Sequence, residues 1–211
     1  MKQLWNERYS DTAYAYGTEP NAFFKSQLDQ RPPGRILLPA EGEGRNAVYA
    51  AMLGWDVVAF DQSEAGEKKA MQLAEAKQTS LSFRIEDAME FNDDTAFDLI
   101  FYGFFHVPPA ALQPIYAHLN TFVKPGGTIL LEGFSTRNIG RGSGGPQNEA
   151  MLFSTSRIKS LLQDFQTLEV WEEEITLNEG PFHQGAASVI RAIGVKQLQM
   201  NYLIGPLDQE T

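Results

Sequence analysis

Short apolar runs alternate with segments of helical periodicity along most of the chain, a pattern typical of strands connected by helices. The runs that predict strands are 35–39, 56–60, 81–85, 97–102, 128–132, 167–176 and 186–195. The segments that predict helices are 46–53, the stretch that begins at Ser63, 110–122, and the stretch from Ser154 or Thr155 to Leu162. This order predicts βαβ units and therefore an α/β fold with a doubly wound, mostly parallel sheet.

Turn chemistry marks the ends of several predicted elements. Gly54 suits the end of the first helix, and Pro108 with Pro109 suits the start of a later one. The run KPGG, 124–127, predicts a turn before the strand that follows it. The last two strand segments are separated only by 177–185, which is too short for a helical crossover, so they pair antiparallel or lie apart.

Length and composition predict a single globular domain. At 211 residues, with 43% hydrophobic and 21% charged residues, the chain can bury one sizeable core. It is predicted to comprise an N-terminal segment, 1–30, a core, 31–196, and a C-terminal tail, 197–211. The absence of cysteine removes disulfides, thiolate zinc sites and cysteine nucleophiles, and it is compatible with a reducing cytoplasm.

Net charge and hydropathy limit the classes of partner. The formal net charge of −10 argues against DNA or RNA, because affinity for nucleic acid depends on clustered Lys and Arg. No apolar run approaches the roughly 18 residues needed to span a bilayer, and the first residues lack the apolar core of a signal peptide. Three scattered histidines give no metal motif. We therefore expect a small-molecule substrate, a cytoplasmic location, and no nucleic-acid, membrane or metal partner.

A glycine-containing stretch, LLPAEGEGRN at 37–46, lies between the first predicted strand and the first predicted helix. Ligands bind at the carboxyl ends of the strands in doubly wound folds, and this stretch occupies such an end. Gly42 and Gly44 would let the backbone approach a ligand, and the following helix would direct free N–H groups towards it. Taken alone, the glycine pair is equally well explained by a plain strand-to-helix turn.

Two acidic residues follow the next two strands. Asp61 lies 17 residues after Gly44, close to the spacing at which a carboxylate accepts ribose hydroxyls in nucleotide-binding βαβ units. Its alternative role is to cap the helix that starts near Ser63. Asp87 follows the third strand, where it would accept from an exocyclic amine or serve as a surface turn residue.

The run AEGEGRNAVYAAMLGWDVVAFDQS resembles the first two motifs of class I S-adenosylmethionine-dependent methyltransferases, specifically the small tellurite-resistance and thiopurine methyltransferase-like group. Further matching runs are WNERY, YGTEPNAF, FDLIFYGFFHVP, KPGG and EGPFHQGAASVIRAIGVK. In this order they cover nearly the whole chain. The resemblance implies a Rossmann-like sheet of seven strands with an antiparallel last strand, and S-adenosyl-L-methionine as the cofactor.

The same resemblance implies a set of site residues. The cofactor-binding positions are Trp5, Ala40, Glu41, Gly42, Gly44, Asn46, Asp61, Gln62, Asp87, Ala88, Tyr102 and Phe104. Asp61 would hold the ribose, Asp87 would border the adenine, and the N-terminal segment would fold over the site. Residues 101–106 would line the wall nearest the sulfonium, since aromatic faces attract a cationic group by roughly 0.5–2 kcal/mol. The alternative is that the phenylalanines of this run fill the core.

The predicted catalytic residues are His106, Tyr16 and Arg8. His106 follows the fourth strand, and an unperturbed pKa near 6.5 suits proton removal at neutral pH. Its alternative role is to form hydrogen bonds with the backbone. A glycine-rich segment, 140–146, would form a lid that brings Arg137 or Arg141 to an acidic substrate, or else a disordered crossover.

The glycine loop departs from the family pattern. Family members usually begin this motif with an acidic residue and a glycine, whereas this chain has Leu38 and Ala40. Glu41 would then supply a displaced carboxylate for the ammonium group of the cofactor. The predicted activity is methyl transfer to a small molecule with a sulfur or other chalcogen acceptor. An NAD-dependent oxidoreductase and a cofactor-binding protein without catalysis stay open as alternatives, and neither the acceptor nor the oligomeric state follows from the sequence.

Overall fold

The computed structural model describes residues 2–198, so most of the predicted C-terminal tail lies outside the described residues. The strands are β1 Arg35–Pro39, β2 Asp56–Asp61, β3 Ser82–Ile85, β4 Phe97–Gly103, β5 Val123–Phe134, β6 Phe165–Asn178 and β7 Gln184–Lys196. The helices are α1 Lys2–Tyr9, α2 Ala22–Leu28, α3 Arg45–Met52, α4 Glu64–Ala76, α5 Pro109–Asn120 and α6 Thr155–Leu161, with 3₁₀ turns at Thr136–Asn138 and Glu149–Met151. None of the helices in this part of the chain is long and apolar enough to cross a membrane.

The seven strands form one sheet in the order β3-β2-β1-β4-β5-β7-β6. The strands β1 to β5 are parallel, and β7 lies antiparallel between β5 and β6. The α/β fold, the mostly parallel sheet and the antiparallel last strand are therefore confirmed. Strand order reverses between β1 and β4, so the crevice where ligands bind in such sheets lies outside the carboxyl ends of these strands.

Two hydrophobic clusters cover the two faces of the sheet. Leu37 packs in the cluster that contains residues of α5 and α6, whereas Ile36 and Leu38 pack in the cluster that contains residues of α2 and α3. Because both faces exclude water, the central strands are continuous apolar runs without polar alternation. Leu38 is fully buried, so the position that carries an acid in the family pattern belongs to the core here.

The structure contains two helices and one bulged strand that the sequence pattern did not predict. The helices α1 and α2 lie in the aromatic-rich N-terminal segment, and Asn21 caps α2 by accepting from the Phe24 N–H at 2.9 Å. The KPGG run lies within β5 rather than before it, and the pairing with β4 shifts register between Phe97 and Leu99. Gly126 adopts a φ of 78° in this bulge, a conformation that favours glycine.

Candidate active site

The carboxyl ends of β1 to β4 lie at the edge of the sheet where doubly wound folds bind ligands, and this region is called the cleft below. Partly accessible residues follow the buried strands at this edge: Ala40, Glu41, Gln62, Asp87, Gly103 and Phe104. Ala40 directly follows β1 and Phe104 directly follows β4, and both have a φ of 50°, a left-handed conformation that is strained for a residue with a side chain. Such backbone strain costs about 1–3 kcal/mol per residue and concentrates at functional sites. Two strained residues on neighbouring strands therefore mark this cleft as the candidate site.

The glycine loop is packed from the N-terminal side of the chain. Gly42 and Gly44 have φ values of 61° and 83°. A Cβ at Gly42 would lie 2.5 Å from the Tyr9 hydroxyl, and a Cβ at Gly44 would lie 2.4 Å from the Cβ of Ala70 in α4. The missing side chains thus admit Tyr9 and α4 next to the loop.

Glu41 occupies the amino end of α3. Its Oε1 accepts from the backbone N–H groups of Asn46 and Ala47 at 2.7 and 2.8 Å, and its Oε2 accepts from the Asn46 side chain at 3.3 Å. The free N–H groups expected at this helix end are therefore satisfied by the chain's own carboxylate. Burial raises the pKa of Glu41 to about 7, although these hydrogen bonds and the charge of Arg45 oppose the shift. A nearby cation would favour the ionised carboxylate.

Asp61 joins the glycine loop to the start of α4. Its two oxygens accept from the Gly42 N–H at 3.0 Å and from the Ser63 N–H at 2.9 Å. Ser63 in turn caps α4 by accepting from the Gly66 N–H at 3.1 Å. Burial raises the pKa of Asp61 against the effect of these hydrogen bonds. The carboxylate has about four lone-pair sites, so capacity remains for a hydroxyl to donate.

Gln62 and Asp87 meet at the ends of β2 and β3. The Gln62 amide donates to one oxygen of Asp87, and the other oxygen accepts from the Met89 N–H at 2.9 Å. Ala88 lies between Asp87 and Met89 in this turn and is buried in the hydrophobic cluster that also contains residues of β2. The structure thus brings three predicted cofactor positions to one edge of the cleft.

Residues of the N-terminal segment cover the glycine loop. Trp5 stacks on Tyr9 with ring centroids 5.5 Å apart. Glu43 fastens the segment that follows α1, because its Oε2 accepts from the Ala15 N–H at 2.8 Å. The Oε1 of the same residue forms a buried salt bridge with Lys69 at 2.5 Å. The Glu43 side chain therefore attaches the N-terminal segment to the glycine loop, and its partners differ from those of Glu41.

Arg8 and Tyr16 pack against the loop before β7. Arg8 donates to the Tyr16 hydroxyl at 3.3 Å, and its guanidinium lies 4.0 Å from the centroid of the Phe182 ring. The Tyr16 ring centroid lies 4.4 Å from that of His183. These two predicted catalytic residues thus contact each other, and Tyr16 also contacts a histidine outside the predicted set.

The aromatic run after β4 divides between the core and the cleft. Tyr102 is fully buried in the cluster that contains α5 residues, and its hydroxyl donates to Asn120 at 2.9 Å. The prediction that Tyr102 binds the cofactor is therefore wrong. Phe101 stacks on Phe24 on the other face of the sheet, with ring centroids 4.5 Å apart. Phe104, in its left-handed conformation, is the aromatic residue of this run that stays partly accessible at the cleft.

His106 has a structural role, which corrects the prediction that it is the catalytic base. Its Nε2 accepts from the Phe134 N–H at 3.0 Å, so its Nδ1 carries the proton and donates to the Met151 carbonyl oxygen at 2.9 Å. Its ring also stacks on Phe153 with centroids 4.5 Å apart. Burial lowers the pKa of His106 to about 4. With both nitrogens engaged, the imidazole has no lone pair left for a substrate proton.

His183 is the histidine that faces the cleft. Its ring centroid lies 4.5 Å from that of Phe104 and 5.2 Å from that of Phe134. Its Nδ1 lies 3.4 Å from an oxygen of Glu179, while its Nε2 has no hydrogen-bond partner within residues 2–198. Burial lowers the pKa of His183 below its ordinary value of 6.5, so the imidazole is neutral at pH 7. The sequence signal for this residue was its place shortly before the last predicted strand, 186–195.

A buried ion pair holds His183 and its loop. Glu179 forms a salt bridge with Arg45 at 2.8 Å. Burial raises the pKa of Glu179, but the hydrogen bond from His183 and the charge of Arg45 outweigh it and bring this pKa to about 2. Arg45 also donates to the Tyr16 carbonyl oxygen at 3.2 Å. The start of α3, the N-terminal segment and the loop before β7 therefore meet at one carboxylate.

Asn21 connects this ion pair to the glycine loop. Its side-chain amide donates to Glu132 at 2.6 Å and to Glu179 at 3.2 Å. Its backbone N–H donates to the side-chain oxygen of Asn46 at 2.8 Å. Asn46 contacts Glu41 in turn, so the predicted cofactor position Asn46 lies inside a continuous polar network. Asn21 is only 1% exposed.

The glycine-rich segment, 140–146, packs against the aromatic residues at the cleft. Asn138 anchors it by donating to the Gly144 carbonyl oxygen at 3.1 Å. A Cβ at Gly144 would lie 2.7 Å from the His183 ring, and a Cβ at Gly145 would lie 2.5 Å from the Phe134 ring. Because these glycines lack side chains, the backbone can lie directly on the aromatic wall, and the segment is not a disordered crossover.

The two arginines that were expected to meet an acidic substrate are paired within the chain. Arg137 forms a salt bridge with Glu172 at 3.3 Å, and Arg141 forms one with Glu174. Both carboxylates belong to β6. The expectation that these arginines meet an acidic substrate therefore does not fit the structure.

Comparison with known families identifies the central part of the chain. Residues 36–127 match the model of a family described as a methyltransferase domain. The match begins in β1 and ends in β5, so it contains the glycine loop, Asp61 and the end of β4. None of the curated proteins matches the chain in sequence.

Solved structures share the fold over nearly the whole chain. A protein studied for the conversion of a disulfide bond into a thioacetal group during echinomycin biosynthesis has a TM-score of 0.76 at 14% identity, over 95% of this chain and 93% of that one. TehB from Haemophilus influenzae has a TM-score of 0.67 at 17% identity, over 93% and 67%. The N-methyltransferase NodS from Bradyrhizobium japonicum WM9, in complex with S-adenosyl-L-homocysteine, has a TM-score of 0.66 at 12% identity, over 92% and 97%. At these identities the structures show a shared fold. Together with the match of residues 36–127 to a methyltransferase domain, this fold supports an enzyme that transfers methyl groups, with S-adenosyl-L-methionine as the cofactor.

Proposed function

We propose that the protein transfers the methyl group of S-adenosyl-L-methionine to a small-molecule acceptor whose accepting atom is sulfur or another chalcogen. The observation that carries this proposal is the cluster of Phe104, Phe134 and His183 at the carboxyl ends of β4 and β5. The proposal places the protein in the tellurite-resistance and thiopurine methyltransferase-like group. The echinomycin-related structure is described with chemistry at sulfur, which also favours this acceptor.

The groups at the strand ends suit a cationic cofactor better than a dinucleotide. Glu41 occupies the amino end of α3, where an NAD-dependent oxidoreductase would bind a pyrophosphate. A carboxylate there repels phosphate and attracts ammonium and sulfonium groups. The oxidoreductase alternative is also disfavoured by the antiparallel β7.

In this proposal, three carboxylates each bind a different part of the cofactor. Glu41 faces the ammonium group, Asp61 accepts from the ribose hydroxyls, and Asp87 accepts from the adenine amine. The positions that complete the cofactor-binding set are Trp5, Ala40, Gly42, Gly44, Asn46, Gln62, Ala88 and Phe104. When bound, S-adenosylmethionine supplies an electrophilic methyl group on a sulfonium centre.

His183 is proposed to activate the acceptor. A thiol with a pKa of about 8.5 is mostly protonated at pH 7, so a neutral imidazole speeds the reaction by taking its proton on Nε2. The hydrogen bond between Nδ1 and Glu179 then stabilises the imidazolium. Tyr16 orients the imidazole by ring contact, and Arg8 holds the Tyr16 hydroxyl. Tyr16 and Arg8 are thus proposed as positioning residues.

Thermal-shift measurements separate the cofactor alternatives. We expect S-adenosylhomocysteine to stabilise the protein and NAD to leave its midpoint unchanged, since a ligand at 100 times its Kd stabilises the native state by about 2.7 kcal/mol. Turnover with a panel of thiols and selenols then tests the acceptor. A protein stabilised by neither ligand would contradict the proposal, and one that binds S-adenosylhomocysteine but methylates no acceptor would favour the non-catalytic alternative.

Glu41→Gln should weaken binding of S-adenosylhomocysteine by about tenfold, because this loss corresponds to about 1.4 kcal/mol of charge interaction with the ammonium group. The glutamine oxygen can still accept from the start of α3. Binding of 5′-methylthioadenosine, which lacks the amino-acid portion, should stay unchanged. Isothermal titration calorimetry with both ligands measures the difference.

The matched control for this prediction is Glu43→Gln. Glu43 lies two positions along the same loop, but its carboxylate binds Lys69 and Ala15. Glu43→Gln should leave the ratio of the affinities for S-adenosylhomocysteine and 5′-methylthioadenosine unchanged. If Glu41→Gln weakened both ligands equally, the carboxylate would support the loop and would have no role at the ammonium group.

A further inference from the structure

Arg45 is a buried cation at the first position of α3, directly after the glycine loop. Its side chain is only 9% exposed. Gly44 precedes it with a φ of 83° and turns the chain into the helix. The guanidinium donates to the Tyr16 carbonyl oxygen at 3.2 Å and to Glu179 at 2.8 Å, two residues that are distant in sequence. The glycine loop is therefore followed by a charge that contacts the segments around His183.

Arg45 and His183 share one oxygen of Glu179. The Arg45 Nη2 donates to Glu179 Oε2 at 2.8 Å, and the His183 Nδ1 lies 3.4 Å from the same atom. The other oxygen, Oε1, accepts from the Asn21 amide at 3.2 Å. Both carboxylate oxygens are thus held, and the contact with the guanidinium is the shorter of the two on Oε2. Arg45 therefore partly neutralises the oxygen that faces the imidazole.

Among the described residues, Arg45 is the cation with the largest effect on His183. The titratable and charged groups that face His183 are Glu179 of the same loop, Arg45 of α3, Arg8 of α1, Tyr16 and His106. Burial lowers the pKa of His183, the hydrogen bond to Glu179 raises it, and the charge of Arg45 lowers it again. Arg8 acts in the same direction with a smaller effect. Burial raises the pKa of Tyr16 and lowers that of His106, so both are uncharged at pH 7.

Arg45 also fixes the ring that packs on His183. The Tyr16 ring centroid lies 4.4 Å from that of His183, and the backbone of Tyr16 is the second acceptor of the guanidinium. A guanidinium presents several donors in one plane, so it can bind a carboxylate and a carbonyl oxygen at the same time. One side chain therefore holds both neighbours of the imidazole.

We propose that Arg45 is a positioning residue for methyl transfer, which fixes Glu179 and Tyr16 around His183 and keeps the imidazole uncharged by sharing the Glu179 oxygen. An imidazole beside an unshared buried carboxylate would stay charged to higher pH and would then be unable to take a proton. The inference rests on the proposed function, because it gives Arg45 a role in the action of His183. It also connects the part of the chain that matches a methyltransferase domain, 36–127, with a loop outside that match.

The test is the pH titration of the His183 imidazole, followed through its Cε1 proton by NMR in the full chain without substrate. The spectrum of His183→Gln assigns this resonance among the three histidines. Arg45→Gln should raise the titration midpoint by about 1 pH unit, because the cation on Glu179 Oε2 is lost. Arg45→Lys keeps the charge and should leave the midpoint within about 0.3 unit of the wild type.

The acid limb of kcat/KM for a thiol acceptor gives a second readout. The neutral base is present above its pKa and is lost as pH falls through it, so the limb of Arg45→Gln should lie about 1 pH unit above that of the wild type. Arg137→Gln is the matched control, since it removes the same charge from an arginine that pairs with Glu172 of β6. It should move neither the limb nor the imidazole midpoint.

Glu179→Gln keeps the test decisive if Arg45→Gln fails to fold, because removing one partner of a buried ion pair is strongly destabilising. It removes the carboxylate and should lower the imidazole midpoint by about 1 pH unit, opposite to Arg45→Gln. Opposite shifts support the inference. An unchanged midpoint in either folded variant, or an equal shift in Arg137→Gln, overturns it. Full activity of His183→Gln would instead count against the proposed function, since the imidazole titration is measured without turnover.

Discussion

His183→Gln should lower kcat by about 10²- to 10³-fold while leaving the affinity for S-adenosylhomocysteine within about threefold, because general-base catalysis contributes factors of this size. Glutamine fills similar space and keeps a hydrogen bond to Glu179, but it cannot take a proton. The loss should shrink for acceptor thiols that are already ionised at the assay pH. Steady-state kinetics with thiols of decreasing pKa measures this dependence.

The pH profile gives the same prediction a second readout. Burial lowers the pKa of His183 below 6.5, so the neutral base is present above that pH and is lost as pH falls through its pKa. The wild type should show this acid limb in kcat/KM, and His183→Gln should lack it. A variant that loses activity equally for ionised and protonated thiols would show a structural role and contradict the assignment.

His106→Gln is the matched control, because both histidines lie at the same end of the sheet. His106 binds the Phe134 N–H and the Met151 carbonyl oxygen through its two nitrogens. Its replacement should lower the midpoint of thermal unfolding and leave kcat within about fivefold, since each lost buried hydrogen bond costs about 1–3 kcal/mol of stability. A loss of kcat as large as that of His183→Gln would show that His106 takes part in the reaction.

Asn21→Ala should lower the free energy of unfolding by about 3 kcal/mol, which for a chain of this size lowers the midpoint by about 6–12 °C. The substitution removes the cap of α2 and a donor from each of two buried carboxylates, Glu132 and Glu179. The cap alone is worth about 1 kcal/mol. Chemical denaturation with fluorescence detection measures the change.

Asn148→Ala provides the comparison for Asn21→Ala. Asn148 is also a capping asparagine, since it accepts from the Ala150 N–H at 3.0 Å, but it is exposed and has no carboxylate partner within residues 2–198. We expect it to cost about 1 kcal/mol or less. Equal effects of the two substitutions would mean that the network around Asn21 contributes little to stability.

The order of strands and helices could be predicted from the sequence because each central strand is buried on both faces. This burial requires a continuous apolar run, and the run at 35–39 coincides with β1. Ser63 was recognisable as the cap of α4 because its hydroxyl accepts from the Gly66 N–H three residues later, which is a local interaction. The helices of the N-terminal segment escaped prediction because α1 has no marked apolar face and packs through Trp5 and Tyr9.

The candidate site could be placed at the correct end of the sheet, but the direction of its side chains could not be predicted. Spacing along the chain does not show that Glu41 turns back to α3, or that Tyr102 points into the core while Phe104 stays at the cleft. It also does not distinguish His106 from His183, because each follows or precedes a strand at the same edge.

The sequence by itself determined the fold class and the order of the strands along the chain. It also placed the glycine loop and Asp61 at the ligand-binding end, since these features depend on local periodicity and spacing. Only the tertiary structure decided which histidine reaches the cleft and what covers it. Those outcomes depend on Glu179, Arg45 and Asn21, which are distant in sequence and meet only when β7 inserts antiparallel beside β5.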